Sequence, residues 1–389
     1  MLSQHLCTIR QPKHKIMTHK NQQNTLGVFL LPPVRFIAKI LPVFALFALH
    51  DFPSLRANDV NDVKVTAIAA GVSHSLLVTS DGKLWAVGNN DSGQLGDGTR
   101  TNRNSPVQIA SNVVAVAAGA RHSLYVTNDG TLWGMGLNKL GQLGSNATML
   151  EEKPVRIASN VITAVAADFA SLYVTRDGRL WAASRDKPKR VATNVTAAAA
   201  GLLFNLYVTN DGSLWAEGHN HEGQLGDGTT TQRKKPVSIA SGVAKVVATL
   251  NSSMFVTSNG TLWAMGNNSH GQLGDGSTTN RHKPVQVATN VTAVAAGLSH
   301  SLYVTDDGKL WAVGDNSSGQ LGDDSTTNRS TPVHIAFNVT SVAAGASYSL
   351  YITSDGKLWA MGSNSHGQLG DGTTANRHKP VQVRLQKNP

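Results

Sequence analysis

The sequence predicts an all-β protein, a seven-bladed β-propeller of four-stranded antiparallel blades. Three observations carry that expectation. All seven tryptophans, Trp85, Trp133, Trp181, Trp215, Trp263, Trp311 and Trp359, end one phrase, Asp/Asn-Gly-x-Leu-Trp, at spacings of 48, 48, 34, 48, 48 and 48 residues. Seven prolines follow in register: Pro106, Pro154, Pro188, Pro236, Pro284, Pro332 and Pro380. Within each unit the side chains are small in the first apolar run and aromatic in the next two, as wedges meeting at an axis require.

Each unit supplies four short strands. The first is a run such as Val65-Thr66-Ala67-Ile68-Ala69-Ala70, whose alanines suit the crowded axis. The second is a run such as Ser123-Leu124-Tyr125-Val126-Thr127. The Asp-Gly or Asn-Gly that follows tolerates positive φ and makes a tight hairpin. The third strand is Leu-Trp-Ala-Met-Gly or a close variant, and the fourth begins at the proline. Between them lies Gly-x-Asn-x-x-Gly-Gln-Leu-Gly, repeated at Gly93, Gly141, Gly223, Gly271, Gly319 and Gly367 and missing only after Trp181. The units span residues 63–110, 111–158, 159–192, 193–240, 241–288, 289–336 and 337–384. Pro380-Val381-Gln382-Val383 either completes the last blade or latches onto the first. A closed ring leaves no long strand edge open to aggregation.

Residues 58–389 are expected to form the propeller and residues 1–57 a leader. The leader holds seven Lys and Arg against one acid, Asp51, and its apolar run Ile40–Leu49 is ten residues. A bilayer span needs about 20 residues, so the length fits a signal peptide, with a membrane anchor as the alternative. The expected location is therefore secreted, periplasmic or on the cell surface. The formal charge of +10 is mostly the leader's; the rest holds 27 of the 34 bases and 23 of the 24 acids, a net of +4. That balance argues against nucleic acid as a partner. The one cysteine, Cys7, is in the leader, so the repeats have no disulfide, no thiolate zinc ligand and no cysteine nucleophile.

The repeated motifs read as structural. Gly-Gln-Leu-Gly-Asp-Gly-Thr has no lysine after its glycines and no following helix, unlike a phosphate-binding loop. Asp97, Asp227, Asp275, Asp323 and Asp371 give one carboxylate per distant loop, too few for calcium. His74, His122 and His300 follow the first strand, but Phe204, Ser252 and Tyr348 replace them in other units, which speaks against a repeated catalytic base. His219 and His221 lack a third metal ligand in the pattern. Arg103, Arg233, Lys234, Lys235, Arg281, Lys283, Arg329, Arg377 and Lys379 precede the fourth strands as a spaced ring, read as arginines stacking on neighbouring blades and a solvated rim in preference to an anion site. No catalytic, cofactor or metal constellation emerges, and no enzyme is expected.

In an up-down-up-down blade the loops after strands one and three share one face of the disc. Variation concentrates there. Unit three reads Asp168-Phe169-Ala170 and has lost fourteen residues with its whole glycine-rich loop; unit four has Leu202-Leu203-Phe204, and unit five has Thr249-Leu250-Asn251. A partner site is expected across that face at Leu137, Lys139, Leu140, Phe169, Leu203, Phe204, Leu250 and Tyr348. The alternative is that Phe169, Leu203 and Phe204 fill the gap left by the lost loop.

Gly-x-Asn-x-x-Gly-Gln-Leu-Gly-Asp-Gly-Thr, with Ala-Ala-Gly-x-x-His-Ser-Leu and Asp-Gly-x-Leu-Trp, resembles the regulator of chromosome condensation repeat family over residues 63–384. The resemblance implies a seven-bladed propeller that grips another protein with one face. A eukaryotic member is an exchange factor for the GTPase Ran and binds nucleosomes; secreted bacterial relatives inhibit β-lactamases. The export-like leader and near-neutral body place this chain nearer the secreted bacterial type. The expected function is thus a non-enzymatic, monomeric, exported propeller that binds a protein. The alternatives are a guanine-nucleotide exchange or chromatin-binding regulator, and a propeller enzyme acting on polysaccharide.

Overall fold

A computed structural model describes residues 63–144, 147–167, 170–184 and 186–385. The leader reading of residues 1–57 falls outside them. The described residues hold 28 strands in seven separate four-stranded antiparallel sheets, each built from consecutive strands in the order one to four. In the first blade these are Val65–Ala70, His74–Thr79, Leu84–Gly88 and Arg103–Ala110. The seven-bladed propeller of the sequence reading is the observed fold.

The open question of ring closure has a definite answer. The last strand, Arg377–Val383, pairs within its own blade, with Leu358 opposite Val383 and Ala360 opposite Val381. Among the described residues no strand is shared between blades. The ring is closed by the same three links that join the first blade to the second and the fourth to seventh blades in turn. Val113 N donates to the hairpin carbonyl of Gly82 in the preceding blade at 2.9 Å, Ser123 Oγ to Gln94 O at 2.7 Å, and Gly98 N to Glu152 O of the next blade at 2.9 Å. At the closing seam the counterparts are Val65 N to Gly356 O at 3.0 Å, Ser75 Oγ to Gln368 O at 2.8 Å and Gly372 N to Asn104 O at 2.8 Å.

The core lies between blades. One cluster joins Leu76, Val78, Leu84, Ala86 and Leu95 of the first blade to Tyr125 and Met135 of the second; the closing cluster joins Val65, Leu77 and Trp85 to Tyr348, Leu350, Leu369 and Val383. Leu95 and its counterparts plug these wedges, fully buried. Tyr125 and Trp133 lie directly across adjacent strands with ring centroids 6.3 Å apart and nearly parallel, an arrangement repeated by Phe255–Trp263, Tyr303–Trp311 and Tyr351–Trp359. Each crossover between blades passes through a residue at positive φ: Asn112, Asn160, Asn194, Gly242, Asn290 or Asn338. Asparagine and glycine enter that region at the least cost, which explains an Asn-Val or Gly-Val punctuation between units that the sequence analysis did not single out.

Candidate partner-binding face

The glycine-rich loop is held by its own polar side chains. Asn90 Oδ1 accepts from Leu95 N at 2.9 Å, while its Nδ2 donates to Asp97 Oδ1 and Thr99 O, both at 3.0 Å. Gln94 Oε1 accepts from Ser92 N at 2.9 Å. Asp97 accepts further from Thr99 N and Oγ1 and pairs with Arg103 at 2.7 Å. Burial pushes this carboxyl up, but the bonds from Thr99, Arg103 and Asn90 outweigh it and hold the pKa below the usual range. The pair recurs as Asp227–Arg233, Asp275–Arg281, Asp323–Arg329 and Asp371–Arg377, with the carboxylates 3–9% exposed. These arginines, 34–42% exposed, lie on the solvated rim of the sequence reading but are each paired within their own blade. They are the tethers of their own loops.

At the hub the first strands end around a cavity of about 150 Å³, lined by every blade and including Ala70, Gly71, Ala118, Gly119, Ala344 and Gly345. His74, His122 and His300 lie buried at the same level and reach into the next blade. His74 Nε2 is 2.8 Å from Ser123 Oγ, His122 Nε2 2.9 Å from Ser171 Oγ, and His300 Nε2 3.0 Å from Ser349 Oγ. Ser123 gives its only proton to Gln94 O, and Ser349 gives its own to Gln320 O. His74 and His300 must then donate from Nε2, which leaves Nδ1 bare. Burial lowers the histidine pKa values, to about 3 for His74, where His122 adds repulsion, and to about 4 for His122 and His300, so all three are neutral. His219 and His221 touch edge to face at 4.3 Å, and no cluster of three metal-ligating side chains exists among the described residues.

The structure divides the predicted partner residues. Leu203 and Leu140 stand out on the loop face, 73% and 60% exposed, and Lys139 is exposed beside Leu140. Leu137 and Leu250 are half-buried, the latter at the hub cavity. Phe169 lies outside the described residues. Phe204 and Tyr348 are corrections: both are fully buried and cannot meet a partner. They occupy the histidine position, and a Cβ placed on Gly201 or Gly345 would strike their rings at 2.1 and 2.0 Å. Phe204 thus fills the hub floor rather than the gap left by the lost loop.

That gap is polar, contrary to the apolar notch expected. In five complete seams the loop of one blade meets a serine and a methionine or valine of the next, as Gln224 O meets Ser253 and Gly226 meets Met265. Where the third blade lacks its loop, the fourth blade carries Asn205 and Glu217 at these positions, half-exposed and paired across strands. Both changes are legible in unit four alone. Also missed was Met149, 61% exposed, whose carbonyl accepts from Asn138 N in the same loop as Leu140.

The model of the RCC1-like domain matches residues 182–388, and that of the regulator of chromosome condensation repeat matches residues 65–94, 81–126 and 113–142. The chain belongs to the RCC1-like family. A segment of 56 residues is 41% identical to "Protein RCC2 homolog" from Danio rerio, over 14% of this chain and 11% of that protein. The chain thus matches about a tenth of that relative's length. The RCC1-like propeller superposes on human WBSCR16 with a TM-score of 0.71 at 19% identity, covering 78% of this chain and 94% of the other. It superposes on yeast RCC1 (Prp20), solved bound to Kap60, with a TM-score of 0.70 at 17% identity, covering 87% and 91%. Prp20p from Saccharomyces cerevisiae, described with its binding to Gsp1p and histones, gives 0.69 at 19% identity over 83% and 87%. At these identities the likeness concerns the fold.

Proposed function

We propose that this protein is a non-enzymatic propeller that binds a protein partner through the face bearing the glycine-rich loops, and that it acts after export. The observation that carries the reading is Leu203. Its φ is 60°, a left-handed conformation costing a leucine about 1 kcal/mol, and its side chain is 73% exposed. Its carbonyl accepts from His219 N at 2.9 Å, but a bulky apolar side chain held on a left-handed backbone and facing solvent costs stability that an asparagine there would not. Leu140 and Met149 add exposed apolar surface to the same face. Relatives of the same fold bind Kap60 and Gsp1p, which supports a protein as the partner class. Export is supported by the basic, apolar leader in the sequence.

The test is affinity capture from the source cells with the full chain, wild type against Leu203→Asn. Asparagine tolerates the backbone conformation, so the variant should melt no lower than the wild type and lose the captured protein. Equal capture by both proteins would overturn the assignment of this face.

A further inference from the structure

We propose that the groove between the second and third blades, on the opposite, hairpin-bearing face, is a second binding site that takes an acidic peptide segment with one bulky apolar side chain. The groove has a volume of about 660 Å³ and is walled by Tyr173 and Trp181, with Arg176, Arg179 and Lys187 around it. The equivalent groove of the sixth blade, between Tyr303 and Trp311, holds about 250 Å³. The difference follows from the shortened blade. Its third strand is only Leu180–Ala182 and its fourth only Lys189–Ala192, so Lys187 and Pro188 border the groove.

The charge has the same origin. In five blades the arginine that opens the fourth strand is neutralised by the aspartate of its loop. The third blade has lost that aspartate with the loop, yet carries Lys187, Lys189 and Arg190 at its outer edge, all exposed. Arg176 stands where the other units have serine, asparagine or aspartate. It extends over Gly130 of the second blade's hairpin. Arg179 is paired with Asp177 at 2.8 Å, whereas Arg176 and Lys187 form no ion pair among the described residues. In the sixth blade the corresponding groove is bordered instead by Asp306 and by Asp307, which pairs with Lys309.

An apolar-walled cavity flanked by two unpaired cations suits an apolar side chain with carboxylates on either side. A polynucleotide would need a continuous row of cations for successive phosphates, and the position of Arg176 is held by the uncharged Asn128 and Asn210 in the neighbouring blades.

The probe is the labelled peptide Glu-Glu-Trp-Glu-Glu, titrated into the full chain at low salt and followed by fluorescence anisotropy. The wild type should bind it, and the double variant Arg176→Glu, Lys187→Glu should bind about tenfold more weakly or worse, with an unchanged melting temperature because both side chains are exposed. Leu203→Asn should bind the peptide as the wild type does, so this site stands or falls separately from the loop face. Equal binding by the double variant would overturn the proposal. So would equal affinity for Glu-Glu-Gly-Glu-Glu, which leaves the cavity unused, or tighter binding of a five-residue oligothymidylate.

Discussion

Tyr348 of the last blade donates its hydroxyl proton to the backbone carbonyl of His74 in the first, at 2.5 Å. The same hydroxyl lies 3.1 Å from Ser75 Oγ, whose own proton goes to Gln368 O. In three other blades a histidine reaches the next blade's serine from this position, so the tyrosine is a longer version of the same inter-blade arm. It sits at the seam where chain continuity is absent.

Tyr348→Phe removes that arm and keeps the ring volume. A stability loss of about 1–2 kcal/mol is expected, read as a lower urea midpoint with unchanged slope. The ring should stay closed, because the Val65–Gly356, Ser75–Gln368 and Gly372–Asn104 bonds remain. A changed slope would mean that the seam opens.

Leu203→Asn should raise stability by about 0.5–1 kcal/mol by relieving the left-handed leucine while abolishing partner capture. Thermal melting and capture measured on one preparation test the two effects together.

His74, His122 and His300 are held below their unfolded pKa of 6.5, to about 3, 4 and 4. The unfolded chain binds their protons first, so stability is complete above pH 6.5 and falls as the pH drops toward 4. Each histidine should account for about 2 kcal/mol lost at pH 5 relative to pH 7.5. Urea unfolding at both pH values measures it. His300→Phe, which copies the side chain that Phe204 places in the fourth blade, should reduce the pH-dependent loss by that share.

Asp275 is 3% exposed and satisfies Ser277, Asn268 and Arg281 at once. Asp275→Asn should cost about 2–3 kcal/mol, since an amide cannot accept at both ends and the arginine loses its partner. Asp324 pairs with Lys379 in the open, both more than half exposed, so Asp324→Asn should change stability by less than about 0.5 kcal/mol. Denaturant midpoints of the two variants decide between a structural tether and a surface pair.

The repeat makes the blade count and strand order readable, because each unit rewrites the same alternation. What the pattern does not resolve is a shift of one residue. Leu203 and Phe204 are neighbours, and the sequence pattern sends both outward; the strand begins between them, so one faces solvent and the other the hub floor. Tyr348 is misplaced by the sequence for the same reason. The Asp97–Arg103 tether is hidden because five residues of irregular loop separate the pair, and spacing alone does not give a loop's path. The Asn205 and Glu217 substitutions are visible, but their meaning requires knowing that the preceding blade's loop rests on those two positions.

Every blade is self-sufficient in strands, and the junction between the first and last blades uses the same backbone and serine links as its neighbours, with Tyr348 in place of their histidine. The polypeptide's starting point is therefore arbitrary as far as folding is concerned. A circular permutant of residues 63–385 that joins residue 385 to residue 63 through a flexible linker and opens at the exposed Asn290 turn would meet the same set of contacts in a different order. Whole cassettes can likewise be cut or copied in evolution without leaving an orphaned strand, and the trimmed third unit is such an edit, made within one cassette and absorbed by the next.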